Sequence, residues 1–190
     1  MMPVPVKNIA NFGIKHGPKM IKHAGSALAA AVALKKIVEE RNNKKIEEGG
    51  FHFRKQRYIE YNKKIMKSLE QCHRTELLKY KMEVTQFIEQ IDTETTQDIK
   101  TKKSLHNKRR KNWESILVQI DAKLKSKDYQ EYLKIYNNDE YTSVYFEGFE
   151  GYVKTFKKLI GKNNQDEIIL FLFQQTDMSA TLIKNDFLTL

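Results

Sequence analysis

Residues 77–91 read LLKYKMEVTQFIEQI, and this stretch decides the fold. Within it Leu77, Tyr80, Val84, Phe87 and Ile91 recur at steps of 3, 4, 3 and 4. That spacing sets apolar side chains on one face of an α-helix, as at a helix–helix interface. Upstream, Tyr58, Tyr61, Ile65, Leu69 and Cys72 repeat the pattern. The step from Cys72 to Leu77 is 5, so the register slips between the two sets. An extended coiled coil needs a seam unbroken over three or four heptads. The slip therefore predicts a long helix in a bundle, or a helical hairpin. No Gly or Pro occurs between positions 51 and 100, which suits helix throughout.

Downstream, Asp92 to Asp98 is polar and rich in β-branched Thr, and reads as a weakened helix or a turn. Ser104 is placed to cap a further helix carrying Trp113, Ile116, Leu117, Ile120 and Leu124. Ser126, Lys127 and Asp128 resemble a restart, before Tyr129, Tyr132, Leu133 and Tyr136. Asn137-Asn138 ends that run. Tyr145, Phe149, Tyr152 and Phe156, at steps of 4, 3 and 4, predict a distinct aromatic helix, with Gly161 as its C′ residue. We read these four rings as an aromatic core or an oligomer interface. Ile168 to Phe173 suits either a buried strand or a helix. Asn164, Asp166 and Glu167 look like a helix start, and a lone strand would have no partner, so helix is expected. Asp177 is read as the cap of a last short helix.

Upstream, Pro3 and Pro5 make residues 1–17 an irregular leader, and an Ala-rich helix is expected from Lys19 to about Glu48. Gly49-Gly50 then marks a break. The expected architecture is all-α: an elongated helical bundle or helical hairpin with a C-terminal aromatic helical section. It divides into a basic leader and Ala-rich helix (1–49), a long hairpin or bundle (50–136), and an aromatic, acidic C-terminal section (137–190).

Composition narrows the function. Of 190 residues 40% are apolar, enough for a modest core, and disorder throughout is excluded. One cysteine, Cys72, cannot form an internal disulfide, which favours a reducing compartment, and a cytoplasmic location is expected. The longest clean apolar run, Ala24 to Leu34, is too short to cross a membrane. The net charge is +10, with +13 in residues 1–136 and −3 in 137–190. Such a field attracts an acidic protein, nucleic acid or an anionic lipid surface. Because 28 of the 34 basic residues are Lys, diffuse attraction is favoured over Arg-based readout.

Reactive motifs are sparse. Glu70 and His73 have a Glu-x-x-His spacing, but no other His has Glu three residues before it, so a di-iron set is not assembled. His16, His23, His52, Cys72 and His106 form no ligand pattern, and neither a metal nor another cofactor is expected. There is no Gly-x-Ser-x-Gly elbow, and Gly161-Lys162 has Phe156 where a P-loop needs glycine.

The densest charge is Lys102, Lys103, Lys108, Arg109, Arg110 and Lys111, six cations in ten residues. Cations so placed can neutralise phosphates, and Trp113 beyond them could stack a base. Trp113 also continues into Ile116 and Ile120, which argues for the core instead. The expected function is a non-enzymatic helical interaction protein: an adaptor, regulator or inhibitor working through helix faces and a basic surface. Its partner would be another protein or a second copy. The alternatives are nucleic-acid binding through residues 102–111, or an anionic membrane surface met by the N-terminal basic helix. No small-molecule substrate is evident.

Overall fold

A computed structural model describes residues 53–97 and 103–188, with Val32, Lys36 and Glu40 also placed in helix. The expectations for the leader, for most of the Ala-rich helix, for Gly49-Gly50 and for Lys102 lie outside the described residues. Among those described, the chain is all-helical, with six helices and no strand.

The packing forms two compact units, one ending at Leu124 and one beginning at Lys125. They share a helix, and the edge of the packing falls inside it rather than at Asn137-Asn138.

The first unit holds α1 (53–71), α2 (Arg74–Gln97) and the start of α3 (Lys103–Asn137). The register slip read between Cys72 and Leu77 is a real break. Cys72 turns extended (φ −70°, ψ 140°) after a 3₁₀ turn over Leu69–Gln71. His73 then starts α2, and its backbone N–H donates to the Glu76 carboxylate at 2.9 Å, as in a capping box. α1 also carries a π-helical turn over Tyr61–Ile65, where the Met66 N–H reaches the Tyr61 carbonyl.

Leu77, Val84, Phe87 and Ile91 on α2 are buried against Tyr61, Ile65 and Leu69 of α1 and Trp113, Ile116, Ile120 and Leu124 of α3; Tyr80 is half-buried beside them. Trp113 is the hub of this core. Its ring meets Tyr58 at 5.4 Å, Tyr61 at 5.5 Å and Phe87 at 4.8 Å between centroids. Such pairs each add about 0.5–1.5 kcal/mol beyond the area they bury.

A buried carboxylate accompanies the apolar seam. The Glu83 carboxylate accepts from Arg57 Nε at 2.9 Å, Arg57 Nη2 at 2.7 Å and the Tyr61 hydroxyl at 2.7 Å. The polar run after Ile91 does not end α2. Thr93, Thr95 and Thr96 donate their hydroxyls back to carbonyls three or four residues earlier, and the helix continues to Gln97.

The second unit holds the rest of α3 with α4 (Glu150–Gly161), α5 (Gln165–Thr176) and α6 (Ala180–Leu188). Four expectations are corrected in α3 and α4. There is no restart at Ser126: α3 runs unbroken. Asp128 occupies a buried position on its apolar stripe, and a polar residue there imitates a helix start. Ser104 lies inside α3 and does not cap it. The aromatic stripe is not one helix. Tyr145 sits in a 3₁₀ turn (Val144–Phe146), Gly148 adopts φ +79°, which favours glycine, and Phe149 precedes α4.

At the end of α4, Gly161 is still helical, and the left-handed residue is Asn163 (φ 51°). The run Ile168 to Phe173 is helix, within α5, and the Asn164 side chain caps it by accepting from the Glu167 N–H at 3.3 Å. Asp177 ends α5 in the left-handed region (φ 54°) instead of starting α6. Ser179 takes that place, its Oγ accepting from the Leu182 N–H at 3.2 Å.

The core of this unit is aromatic. Tyr132 contacts Phe146, Phe156 and Phe171 at 4.9–5.4 Å between centroids, and Phe156 lies stacked on Phe171 at 5.6 Å.

Two substitutions and one control test these assignments by urea unfolding. Glu83→Ala is expected to cost about 3 kcal/mol, because it removes two of the Arg57 guanidinium's bonds, leaving it only the exposed Glu60 carboxylate, and takes the carboxylate acceptor from the buried Tyr61 hydroxyl. Phe156→Ala is expected to cost about 3–5 kcal/mol through the cavity it opens. Leu105→Ser, at a half-exposed site, is expected to stay within about 0.5 kcal/mol of the parent chain.

Candidate anion-binding surface

The basic run of α3 is a single helix, and successive residues turn by about 100°. It therefore cannot keep all its cations together. Lys108 and Lys111 point to solvent with Ser104, Ser115, Val118 and Ala122. Lys103 is exposed as well, nearer the flank that faces α2. On that flank the Arg110 guanidinium binds Asp92 at 2.9 Å and Glu114 at 3.3 Å, and Asp121 pairs with Lys81. The opposite flank faces α1, where Lys123 pairs with Glu70. Arg109 lies half-buried on this side.

His106 and Trp113 point inward, and each is about 4% exposed. The His106 Nδ1 lies 3.9 Å from the Glu94 carboxylate. Trp113 is enclosed by three aromatic neighbours and is not a free stacking platform.

The structure adds cations that the linear cluster did not include. A cleft of about 250 Å³ opens beside α3 and is lined by Arg54, Lys55 and Tyr58 of α1, Ile91 of α2, and Arg109, Asn112 and Trp113 of α3. Arg54 is largely buried and held from behind: its Nη1 donates to Gln90 Oε1 at 3.2 Å and its Nη2 to Glu94. Lys55 is exposed and makes no ion pair among the described residues. Sequence reading missed Arg54, Lys55 and Tyr58. The basic–aromatic spacing Arg54-Lys55-x-Arg57-Tyr58 was the only signal, and nothing in it identified a partner fifty residues away.

The remaining candidates are structural. Tyr145, Phe149 and Phe156 are buried in the second unit, with Tyr152 half-buried. Cys72 is buried, and its Sγ donates to the Ser68 carbonyl at 3.3 Å. Glu70 and His73 do not converge: Glu70 turns to Lys123 on α3, and His73 starts α2 in solvent. Among the described residues no three His, Cys, Asp or Glu are grouped to hold a metal ion, and no helix is long and apolar enough to cross a membrane.

The strongly perturbed groups tie helices and turns together. Burial raises the Tyr61 hydroxyl pKa far above its ordinary value, and Glu83 adds to the effect. Burial and the bond to Asp186 raise that of Tyr129. Burial pushes the Glu131 carboxyl upward, but hydrogen bonds from Lys134 (2.6 Å), Ser143 (2.5 Å) and Tyr141 (3.0 Å) outweigh it and hold the group below its usual range. No protein-family model matches the chain, and no match was found among curated proteins or solved structures.

The Glu131 network has a pH signature. Its folded pKa is depressed, so its stabilisation is present above the ordinary carboxylate range and is lost as pH falls through the folded value. Urea unfolding of the parent chain and Glu131→Gln should therefore differ at pH 7. The difference should shrink steadily as pH drops below the ordinary glutamate range.

Proposed function

We propose that the chain is a non-enzymatic interaction protein that presents helix faces and a cationic surface to an acidic protein partner. The observation that supports this most is the solvent face of α3. Lys108 and Lys111 stand on it with small or apolar neighbours Ser104, Ser115, Val118 and Ala122, and no carboxylate occupies it. Residues 53–97 and 103–124 of the first unit carry 15 Lys and Arg against 9 Asp and Glu, so their field has the same sign as this face. Charge arranged in this way mainly speeds encounter and selects partners of opposite sign. Perturbed groups such as Tyr61 and Glu131 are engaged in holding helices and turns, which agrees with a role in binding rather than chemistry.

Nucleic-acid binding through residues 102–111 is the second reading, and the exposed Lys103, Lys108 and Lys111 favour it. Its weakness is the division of the cations over three sides of α3, with Arg110 already bound to two carboxylates. For the membrane alternative, most of the basic helix concerned lies outside the described residues and adds no support.

Affinity capture on the full-length chain, with and without nuclease, separates the two readings. An acidic protein retained after nuclease treatment is expected. Its association rate should fall several-fold between low and physiological salt. The double variant Lys108→Gln/Lys111→Gln should weaken capture and flatten that salt dependence. Binding that disappears with nuclease would transfer the function to nucleic acid. Binding unchanged in the double variant would remove the α3 face from it.

A further inference from the structure

We infer that a second copy of this chain docks on the solvent face of α1 through its acidic turn between α3 and α4. The contact does not rest on the reading of the outer α3 face, because Lys108 and Lys111 take no part in it.

The docking face consists of Lys55, Ile59, Lys63, Lys64 and Lys67 of α1, and all five are exposed. None of the four lysines makes an ion pair among the described residues. Both carboxylates of α1 are engaged elsewhere: Glu60 accepts from Arg57 Nη1 at 2.6 Å, and Glu70 pairs with Lys123 of α3. Residues four apart drift by about 40° around an α-helix. The π-helical turn over Tyr61–Ile65 winds more loosely and offsets that drift, so Ile59, Lys63 and Lys67 run nearly in line. The face thus carries unneutralised charge of one sign around an aliphatic side chain, Ile59, which is 43% exposed.

The matching surface is in the same chain. No Lys or Arg occurs between Ile135 and Val153. Asp139, Glu140 and Glu147 are exposed there, and their side chains make no ion pair among the described residues. Val144, among them, is 65% exposed. The turn is fastened from behind. Tyr141 and Ser143 donate to the Glu131 carboxylate on α3 at 3.0 and 2.5 Å, and Lys157 of α4 donates to the Asp139 carbonyl at 2.6 Å. Docking a turn already held in place costs little chain entropy.

Each surface holds one exposed aliphatic residue within charge of one sign, and the two signs are opposite. Ion pairs between the copies set orientation and speed encounter, and contact of Ile59 with Val144 removes apolar surface from water. A phosphate polymer would meet the lysines and leave Ile59 uncovered, and lysine lacks the fork that matches phosphate oxygens. Because different patches meet, the contact is heterologous, and the copies join head to tail in a ring or an open chain.

Sedimentation velocity of the full-length chain, with and without nuclease, tests this. The mass is expected to rise with protein concentration at low salt and to fall towards the monomer at high salt. Lys63→Glu/Lys64→Glu sets like charges opposite each other and should hold the chain monomeric, as should Glu140→Lys/Glu147→Lys. Mixing these two variants restores opposite charge at every contact between them, so association should return in the mixture. Val144→Ser should weaken association several-fold without changing charge. Lys108→Gln/Lys111→Gln should leave it intact, so this contact and the capture of an acidic partner by α3 can fail separately. Circular dichroism checks the fold of each variant, and the salt series needs no variant.

The inference is overturned if the parent chain stays monomeric at every concentration in low salt, or if association disappears on nuclease treatment. It is equally overturned if the two charge-reversed variants, both folded, remain monomeric when mixed.

Discussion

The Glu83 carboxylate, buried between α1 and α2, is the constraint on which the first unit depends. A charge taken out of water must be matched at once by opposite charge and hydrogen bonds. Arg57 grips both carboxylate oxygens, and the Tyr61 hydroxyl takes a further bond to one of them. Both partners lie on α1, one turn apart, so they fix how far α1 can slide along α2. An apolar seam alone would tolerate a shift by one heptad at small cost. The ionic tie would not, because a shift strands Arg57 and Glu83 apart. In this way it positions the aromatic set around Trp113.

The same alignment shapes the surface. With α1 held against α2, Arg54 lies three residues before Arg57 and meets Gln90 and Glu94 on α2. Lys55 and Tyr58 then stand beside the α1 flank of α3, where Arg109 and Asn112 emerge. The cleft is thus a by-product of the packing that the buried charge enforces. The second unit is organised differently. It relies on stacked aromatic rings around Tyr132 and Phe156, and its polar tie, Glu131 with Lys134, Tyr141 and Ser143, fastens the turn after α3 to that helix.

Much of the fold was legible in particular residues. Leu77 to Ile91 carried the helix period and the inward face, and the five-residue step before Leu77 marked the break between α1 and α2. Asn164, Asp166 and Glu167 correctly signalled the start of α5. The errors have one physical source. Capping residues such as Ser104, Ser126 and Asp177 have short polar side chains that serve equally at helix starts, inside helices and at helix ends. Their role is decided by which backbone groups remain unpaired, and that depends on tertiary packing. The aromatic stripe misled for a similar reason: a 3₁₀ turn and a glycine in the left-handed region can present rings at nearly helical intervals.

By itself, then, the sequence determined the all-helical class, the apolar face of α2 and the sign of the charge, since these follow from local periodicity and composition. Only the tertiary structure decided where the charges act. Helical geometry spread Lys103, Lys108, Arg109, Arg110 and Lys111 over separate sides of α3, and acidic neighbours on α2 and α3 bound Arg110. Packing then brought Arg54 and Lys55 to Arg109 across more than fifty residues. A contact between distant helices depends on their register, and no local pattern in the chain encodes it.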